Sequence, residues 1–462
     1  MVRIDVLPDD VLLEIFDFHV NTGPQYAGRP WIEEWQTLVH VCRRWRHLIF
    51  RSPLRLNLQL FCTPQTPAKD ILGVWPALPL IIEGSMALSI TDNVIAALGQ
   101  SNRVCQVFLR DLADWQLEKV LAAMQVPFPE LVNLRLFSDG KSQPLIPDSF
   151  VGAFAPRLRN VSLSGIPFPG LPKMLLSATH LVYLGLTNIP HSGYISPEAM
   201  IALISVLSSL ESFLLGFQSP QSRPNWGSLR PPPSKRSVMP ILNYIFYEGV
   251  IEYLEDLVTF IDAPQLNHLC VTFFNQIDFD TPRLAQFINC TPELRKRDAH
   301  VQFHDRSAGV VLSTRPICLE IAVSCREPDW QLSSVAQFCN SLTSLSIVED
   351  LFIEHEYSQL VWRNDAIEDT LWLELLLPFT AVKNLYLSTE FAPGIAATLT
   401  ELIGSRIEEV LPNLQNIFVE GLEPAETFQK DVGRFFTARQ LSDHSIAISH
   451  WDKYSDTDSE SM

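Results

Sequence analysis

The sequence predicts an α/β chain: a small N-terminal helical module, then an irregular stack of strand–helix repeats with parallel strands on the concave side and helices on the convex side. Three observations predict it. The first 50 or so residues hold two apolar patterns of helical period. The remainder repeats the six-residue pattern L-x-x-L-x-L between helix candidates. Hydrophobic residues make up 47% of the 462, enough to pack a core along the whole length.

The first helical pattern lies in DVLPDDVLLEIFDF, where Val11, Leu12, Ile15 and Phe16 recur at helical spacing behind Pro8. Pro8 pre-sets the backbone dihedral at the helix entry, and Asp9 and Asp10 place negative charge where the helix dipole is positive. The second is WQTLVHVCRRWRHLIF, whose stripe of Trp35, Leu38, Val41, Cys42, Trp45, Leu48 and Ile49 leaves Arg43, Arg44 and Arg46 elsewhere. Ser52-Pro53 stops it. So few short helices cannot bury that much apolar surface among themselves, and a partner is expected to cover part of it.

The two halves, L-P-x-D-V-L-x-x-I-F and L-x-x-V-C-R-x-W, resemble in order the signature of the F-box family. The resemblance implies docking onto Skp1 and, through it, onto a cullin scaffold with its RING subunit. Carried over position by position, it places Leu7, Pro8, Val11, Leu12, Ile15, Phe16, Leu38, Val41, Cys42 and Trp45 at the Skp1 interface. The chain departs from the family by inserting VNTGPQYAGRPWIEE between Phe18 and Trp35, longer than the usual turn.

Beyond residue 53, LRLNLQL (54–60) alternates with period two and reads as the first strand. The repeats follow as LVNLRL, LRNVSL, LVYLGL, LESFLL, LNYIFY, LNHLCV, LTSLSI, VKNLYL and LQNIFV. Helix starts fall between them at Asp114, Ser196-Pro197, Thr281-Pro282 and Asp365. Residues 54–440 resemble the irregular leucine-rich repeats of F-box proteins expanded in mushroom-forming fungi. The Asn or Cys that regular repeats carry at the turn is replaced by Asp139, Ile166 and Ile189, which predicts irregular turns. Residues 218–240 read as a Pro-rich insertion and 441–462 as an acidic, disordered tail.

If the leucines of each strand face inward, the intervening side chains face the concave surface. These are Asn133, Arg135, Tyr183, Thr187, Tyr244, Phe246, His268, Asn384, Tyr386, Asn416 and Phe418, the expected contacts for a protein target.

A net charge of -18 argues against nucleic acid and anionic membrane as partners. Eight scattered cysteines without a C-x-x-C pair suit reduced thiols in the cytoplasm or nucleus. Met200–Phe217 is apolar, but its periodicity changes midway, so a buried helix running into a strand is expected rather than a membrane span. His300 and His304 sit in HVQFH, which alternates like a strand and does not predict a metal site. No nucleotide loop, nucleophile elbow or zinc-protease motif occurs, so neither catalysis nor a cofactor is expected. The reading is a non-catalytic substrate receptor of a Skp1-containing ubiquitin ligase; a Skp1-bound scaffold without a degradation role would share the same sequence features.

Overall fold

The computed structural model of the chain describes residues 6–21, 34–53, 55–87, 91–139, 144–167, 173–220, 236–275, 279–294, 296–314, 317–355, 369–402, 409–421, 428–430, 432, 433, 435, 437 and 446–451. Most of the insert after Phe18, Leu54, residues 221–235 of the Pro-rich insertion, Asp365 and most of the tail lie outside them. The chain divides into two compact units at Tyr194/Ile195.

The first unit opens with three helices, α1 (Asp9–Asn21), α2 (Glu34–Val39) and α3 (Arg43–Arg51). Strands then alternate with helices: β1 (Leu60–Cys62), α4 (Ala68–Val74), β2 (Leu80–Ser85), α5 (Asp92–Leu98), β3 (Val104–Leu112) and α6 (Asp114–Ala123). β4 (Asn133–Ser138), a 3-10 turn at Phe150–Ala153, β5 (Asn160–Ser164), α7 (Lys173–Ser177) and β6 (Tyr183–Ile189) complete it. The six strands pair in chain order and all run parallel. The leucine pattern explains why: Leu134 and Leu136, Val161 and Leu163, and Leu184 and Leu186 are buried at matching register, each pair covering the next.

Two expectations need correction here. LRLNLQL is not a strand: Arg55–Asn57 form a turn and β1 begins only at Leu60. Leu56 and Leu58 are buried all the same, so period two arises from a coil that lies on the core. At the turns, Ile166 and Ile189 are buried where regular repeats carry Asn. The backbone compensates with left-handed residues, Gly165 at φ +68° and Asn188 at φ +53°. Gly165 also lies so close to the preceding turn that a Cβ there would stand 2.0 Å from the carbonyl oxygen of Ser138.

The second unit contains α8 (Pro197–Ile204), β7 (Ser212–Phe217), β8 (Ser237–Val238), β9 (Tyr244–Gly249), α9 (Ile251–Phe260), β10 (Ile261–Asp262), β11 (His268–Phe274) and α10 (Pro282–Asn289). It continues with β12 (Asp298–Phe303), β13 (Ser307–Thr314), β14 (Ile317–Ser324), α11 (Pro328–Ser341), β15 (Asp350–His355), α12 (Asp369–Leu376), β16 (Asn384–Leu387), α13 (Ala392–Glu401), β17 (Asn416–Glu420) and β18 (Ala447–Trp451). The strands lie in the order β7-β9-β11-β14-β13-β12-β15-β16-β17-β18, while β8 and β10 pair separately. Met200–Phe217 is a buried helix followed by a strand, and among the described residues no helix is long and apolar enough to cross a membrane.

The expected all-parallel arrangement fails at one strand. β13 runs antiparallel to both β12 and β14, whereas every other pairing in this sheet is parallel. The reason is connection length: residues 304–306 and 315–316 permit only hairpins, and a parallel return needs a crossover of a dozen or more residues. Gly309 permits the close strand approach, since a Cβ there would meet Ile321 O at 2.6 Å.

LTSLSI is a further correction. Thr343–Ile347 form a 3-10 turn closing α11, with Leu345 N donating to Leu342 O at 3.2 Å. The same apolar spacing recurs six residues later as Val348, Leu351 and Ile353, and that frame forms β15, pairing with β12 and β16. Two shorter differences concern segments expected to lack structure. Ser237–Val238, inside the Pro-rich insertion, pairs with β10, and Ala447–Trp451, inside the expected tail, pairs with β17.

Helix starts are set partly as expected. Ser196 Oγ accepts from Ala199 N at 3.3 Å and caps α8. At α10, Thr281 makes no side-chain cap; the carboxylate of Glu255 on α9 accepts from Arg283 N and Leu284 N at 3.0 and 2.8 Å instead. Burial pushes the Glu255 carboxyl up from its ordinary value, against these hydrogen bonds and the nearby Arg283.

Candidate interaction surfaces

In the helical module the ten positions carried over from the resemblance separate into two groups. Leu12 and Phe16 are 0% exposed and Leu38 is 9% exposed, so these three face inward, a correction to their expected place at an interface. They form the module's own core, with the Phe16 ring 4.7 Å from that of Trp45. Pro8 and Cys42 are exposed, Leu7 and Trp45 half-buried, and Val11, Ile15 and Val41 are 42%, 43% and 59% exposed. Val11 and Ile15 are one turn apart on α1, so the helix presents an apolar stripe to solvent, extended by exposed Phe18.

Arginines fix this surface. Arg44 donates from Nη2 to Leu7 O and to Asp9 Oδ1, each at 2.6 Å, and from Nε to Asp9 Oδ1 at 3.1 Å. Arg46 Nε donates to Val39 O at 2.9 Å, and Arg55 pairs with Glu14. Cys42 is the N-cap of α3, its Sγ accepting from Trp45 N at 3.5 Å. Trp35, buried, donates from Nε1 to Gln59 O at 3.2 Å and meets Phe50 and Trp75 edge-on, which ties the helices to the first strand–helix repeat.

None of the strand positions named from the sequence is fully buried. Asn133, Tyr183 and Thr187 in the first unit, and Tyr244, Phe246, His268, Asn384, Tyr386, Asn416 and Phe418 in the second, are all half-buried, and Arg135 is exposed. Tyr244 and His268 are cross-strand neighbours with ring centroids 6.0 Å apart.

In the second unit the structure brings together more than the sequence reading named. His300, Phe352, Tyr386 and Phe418 occupy one row across β12, β15, β16 and β17. Their rings stack in succession at 4.4, 4.2 and 4.6 Å, with interplanar angles of 7°, 10° and 11°. Trp451 on β18 meets Phe352 and Tyr386 at steep angles, 5.9 and 5.5 Å away. On one side of the rings runs a polar row, Asp298, Asp350, Asn384 and Asn416. Within it Asn384 Nδ2 donates to Asp350 Oδ1 at 2.6 Å and Asn416 Nδ2 to Asn384 Oδ1 at 2.7 Å. On the other side stand Gln302, Glu354 and Glu420, with His300 Nδ1 3.4 Å from Glu354 Oε2. Burial and the neighbouring Asp350 push the Asp298 carboxyl above its usual value.

Phe352 was missed because LTSLSI took the strand assignment from its neighbour, and Trp451 because it fell in the expected tail; His300 was read on a strand but weighed only as a metal ligand. The available signal was the Asp or Asn that opens these strands two places before an outward aromatic or imidazole ring: Asp298-x-His300, Asp350-x-Phe352, Asn384-x-Tyr386 and Asn416-x-Phe418.

Burial pushes the Cys339 thiol far up, and burial with the nearby Glu320 and Cys318 pushes Cys270 up to about 11. Among the described residues, no group of three or more His, Cys, Asp or Glu side chains is placed to hold a metal ion.

No family model matches the chain, and no curated protein matches it. Among solved structures, the leucine-rich repeat-containing protein LegL7 from Legionella pneumophila aligns over 81% of this chain and 97% of its own, at 12% identity and a TM-score of 0.28. Likeness at that level carries no argument about this chain, whose mixed α/β, largely parallel strand architecture stands on its own pairings.

Proposed function

We propose that the chain is a substrate receptor of a Skp1-containing ubiquitin ligase, the helical module docking onto Skp1 and the strand–helix units presenting a bound protein. The supporting observation is the apolar stripe of Val11 and Ile15 on α1, exposed beside Pro8 and Val41 and held in place by Arg44. A short helix that leaves such side chains in water gains by laying them in a partner's groove. Ubiquitin transfer in this reading occurs on other subunits, and the chain contributes proximity and orientation.

Purified full-length chain is expected to be retained by immobilised Skp1. Val11→Asp with Ile15→Asp, and separately Leu7→Ala with Pro8→Ala, are expected to abolish retention without moving the thermal midpoint. A folded wild-type chain that Skp1 does not retain would overturn the reading. In cells, proteins captured by the chain should be longer-lived with the Val11→Asp/Ile15→Asp variant than with wild type; equal lifetimes would favour a scaffold.

A further inference from the structure

The stacked ring row of the second unit is a surface whose chemistry selects its occupant. Four rings on four neighbouring strands are covered by one another on their faces, and their edges form a half-buried ridge on which Trp451 packs against Phe352 and Tyr386. Carboxylates border it on both sides: Asp298 and Asp350 on one, Glu354 and Glu420 on the other. Further along the same sheet face lie Glu320 on β14 and Glu248 on β9.

Among the described residues, few cations lie near Asp298 and Asp350. Arg297 and Lys383, just ahead of β12 and β16, both bond Glu349, at 3.3 and 2.8 Å. His300 is charged only when protonated, and His268 lies beside Tyr244. Asp298 and Asp350 are cross-strand partners at the same register, a like-charge pairing that weakens a sheet.

An apolar ridge between two acidic margins matches an amphipathic cation: a long aliphatic stem lies along the ring edges and the charged head reaches a carboxylate. Arginine fits this best, because its planar fork pairs with a carboxylate through two parallel hydrogen bonds and it is the more weakly hydrated of the two basic side chains. Nucleic acid does not fit, since its phosphates would meet the carboxylate rows.

We propose that the sheet face over β12, β15, β16 and β17, beside Trp451, binds an arginine-bearing basic segment of a partner protein. The inference rests on the reading of the strand–helix units as a protein-binding surface and is independent of docking to Skp1.

The test is fluorescence anisotropy of the full-length chain with a labelled peptide of alternating arginine and serine, beside the same peptide with citrulline in place of arginine. The acidic chain attracts any cation, so a variant of equal charge change serves as reference. Asp298→Asn with Asp350→Asn is expected to weaken binding about tenfold or more, since two charge-assisted bonds are lost. Asp92→Asn with Glu118→Gln, both exposed in the first unit, is expected to change it less than about twofold. Tyr386→Ala is expected to weaken it at unchanged charge. Equal losses in the two charge variants would reduce the effect to general attraction and overturn the proposal. Undiminished binding of the citrulline peptide, or peptide competition with self-association seen by sedimentation, would assign the ridge to an uncharged segment or to a second copy and also overturn it. Because Skp1 is absent from the assay, its outcome is separate from that of the retention experiment.

Discussion

Arg44 joins two helices by donating to both the backbone oxygen of Leu7 and the carboxylate of Asp9, each at 2.6 Å. The ion pair alone is exposed and contributes ~0.2–1 kcal/mol; the bond to the Leu7 carbonyl makes the residue a staple at the entry of α1. Arg44→Ala is expected to lower stability by about 1–2 kcal/mol in urea unfolding. The same change should weaken retention by Skp1, because Leu7 and Pro8 lose their fixed position.

Adjacent residues of α1 should behave oppositely. Phe16→Ala empties a fully buried position beside Trp45 and is expected to cost about 3–5 kcal/mol. Ile15→Ala, at a position 43% exposed, should stay within about 0.5 kcal/mol while reducing retention by Skp1. Equal destabilisation by both changes would place Ile15 in the core.

Two glycines separate backbone need from helix weakness. Gly165→Ala forces a Cβ to within 2.0 Å of Ser138 O at φ +68° and is expected to destabilise the first unit by ~2 kcal/mol or more. Gly73 in α4 has nothing within 4 Å of the point where an alanine methyl would stand, so Gly73→Ala should stabilise by roughly 0.5–1 kcal/mol. Thermal midpoints moving in opposite directions are the check.

Asp298 gives a pH signature. Burial comes first among the causes that raise its pKa, then Asp350, with His300 and Arg297 opposing and Glu349 adding to the rise. The native state therefore holds this proton more tightly than the unfolded chain, and stability falls as pH rises from the ordinary carboxylate value through the raised one. Asp298→Asn is expected to raise the midpoint at neutral pH, with the gain vanishing below the ordinary carboxylate range. A gain that persists in acid would have another origin.

Glu255 caps a helix it does not belong to. Glu255→Ala leaves the amides of Arg283 and Leu284 without their carboxylate acceptor and should cost about 1–2 kcal/mol. Thr281→Ala should leave both amide bonds intact, which amide hydrogen exchange at Arg283 and Leu284 can distinguish.

Where leucines alternate and a crossover follows, strand and face were legible in the sequence: β4, β16 and β17 alternate buried and more accessible side chains as the pattern requires, whereas in β5 and β6 Ser162 and Gly185 are buried as well. The limit is that apolar spacing reports burial, not hydrogen bonding. Leu56 and Leu58 are buried in a turn and a coil, Leu342 just ahead of a 3-10 turn and Leu345 within it, yet all four satisfy a strand pattern. The helical module shows the same limit. The motif identified ten apolar positions, but helical period alone could not tell the inward Leu12 and Phe16 from the outward Val11 and Ile15. The cap from Glu255 was beyond local reading because donor and acceptor lie on different helices.

The single reversed strand, β13, also has a consequence for how the second unit assembles. Parallel neighbours must wait for a helical crossover to close, whereas β12, β13 and β14 are joined by hairpin connections and bring residues near in sequence into contact. This meander is therefore expected to nucleate early, with β11 adding to its β14 edge and β15 to its β12 edge, so that the sheet grows outward in both directions from an internal seed. Substitutions in β13 should then slow refolding, while those in β7 or β18 should mainly speed unfolding.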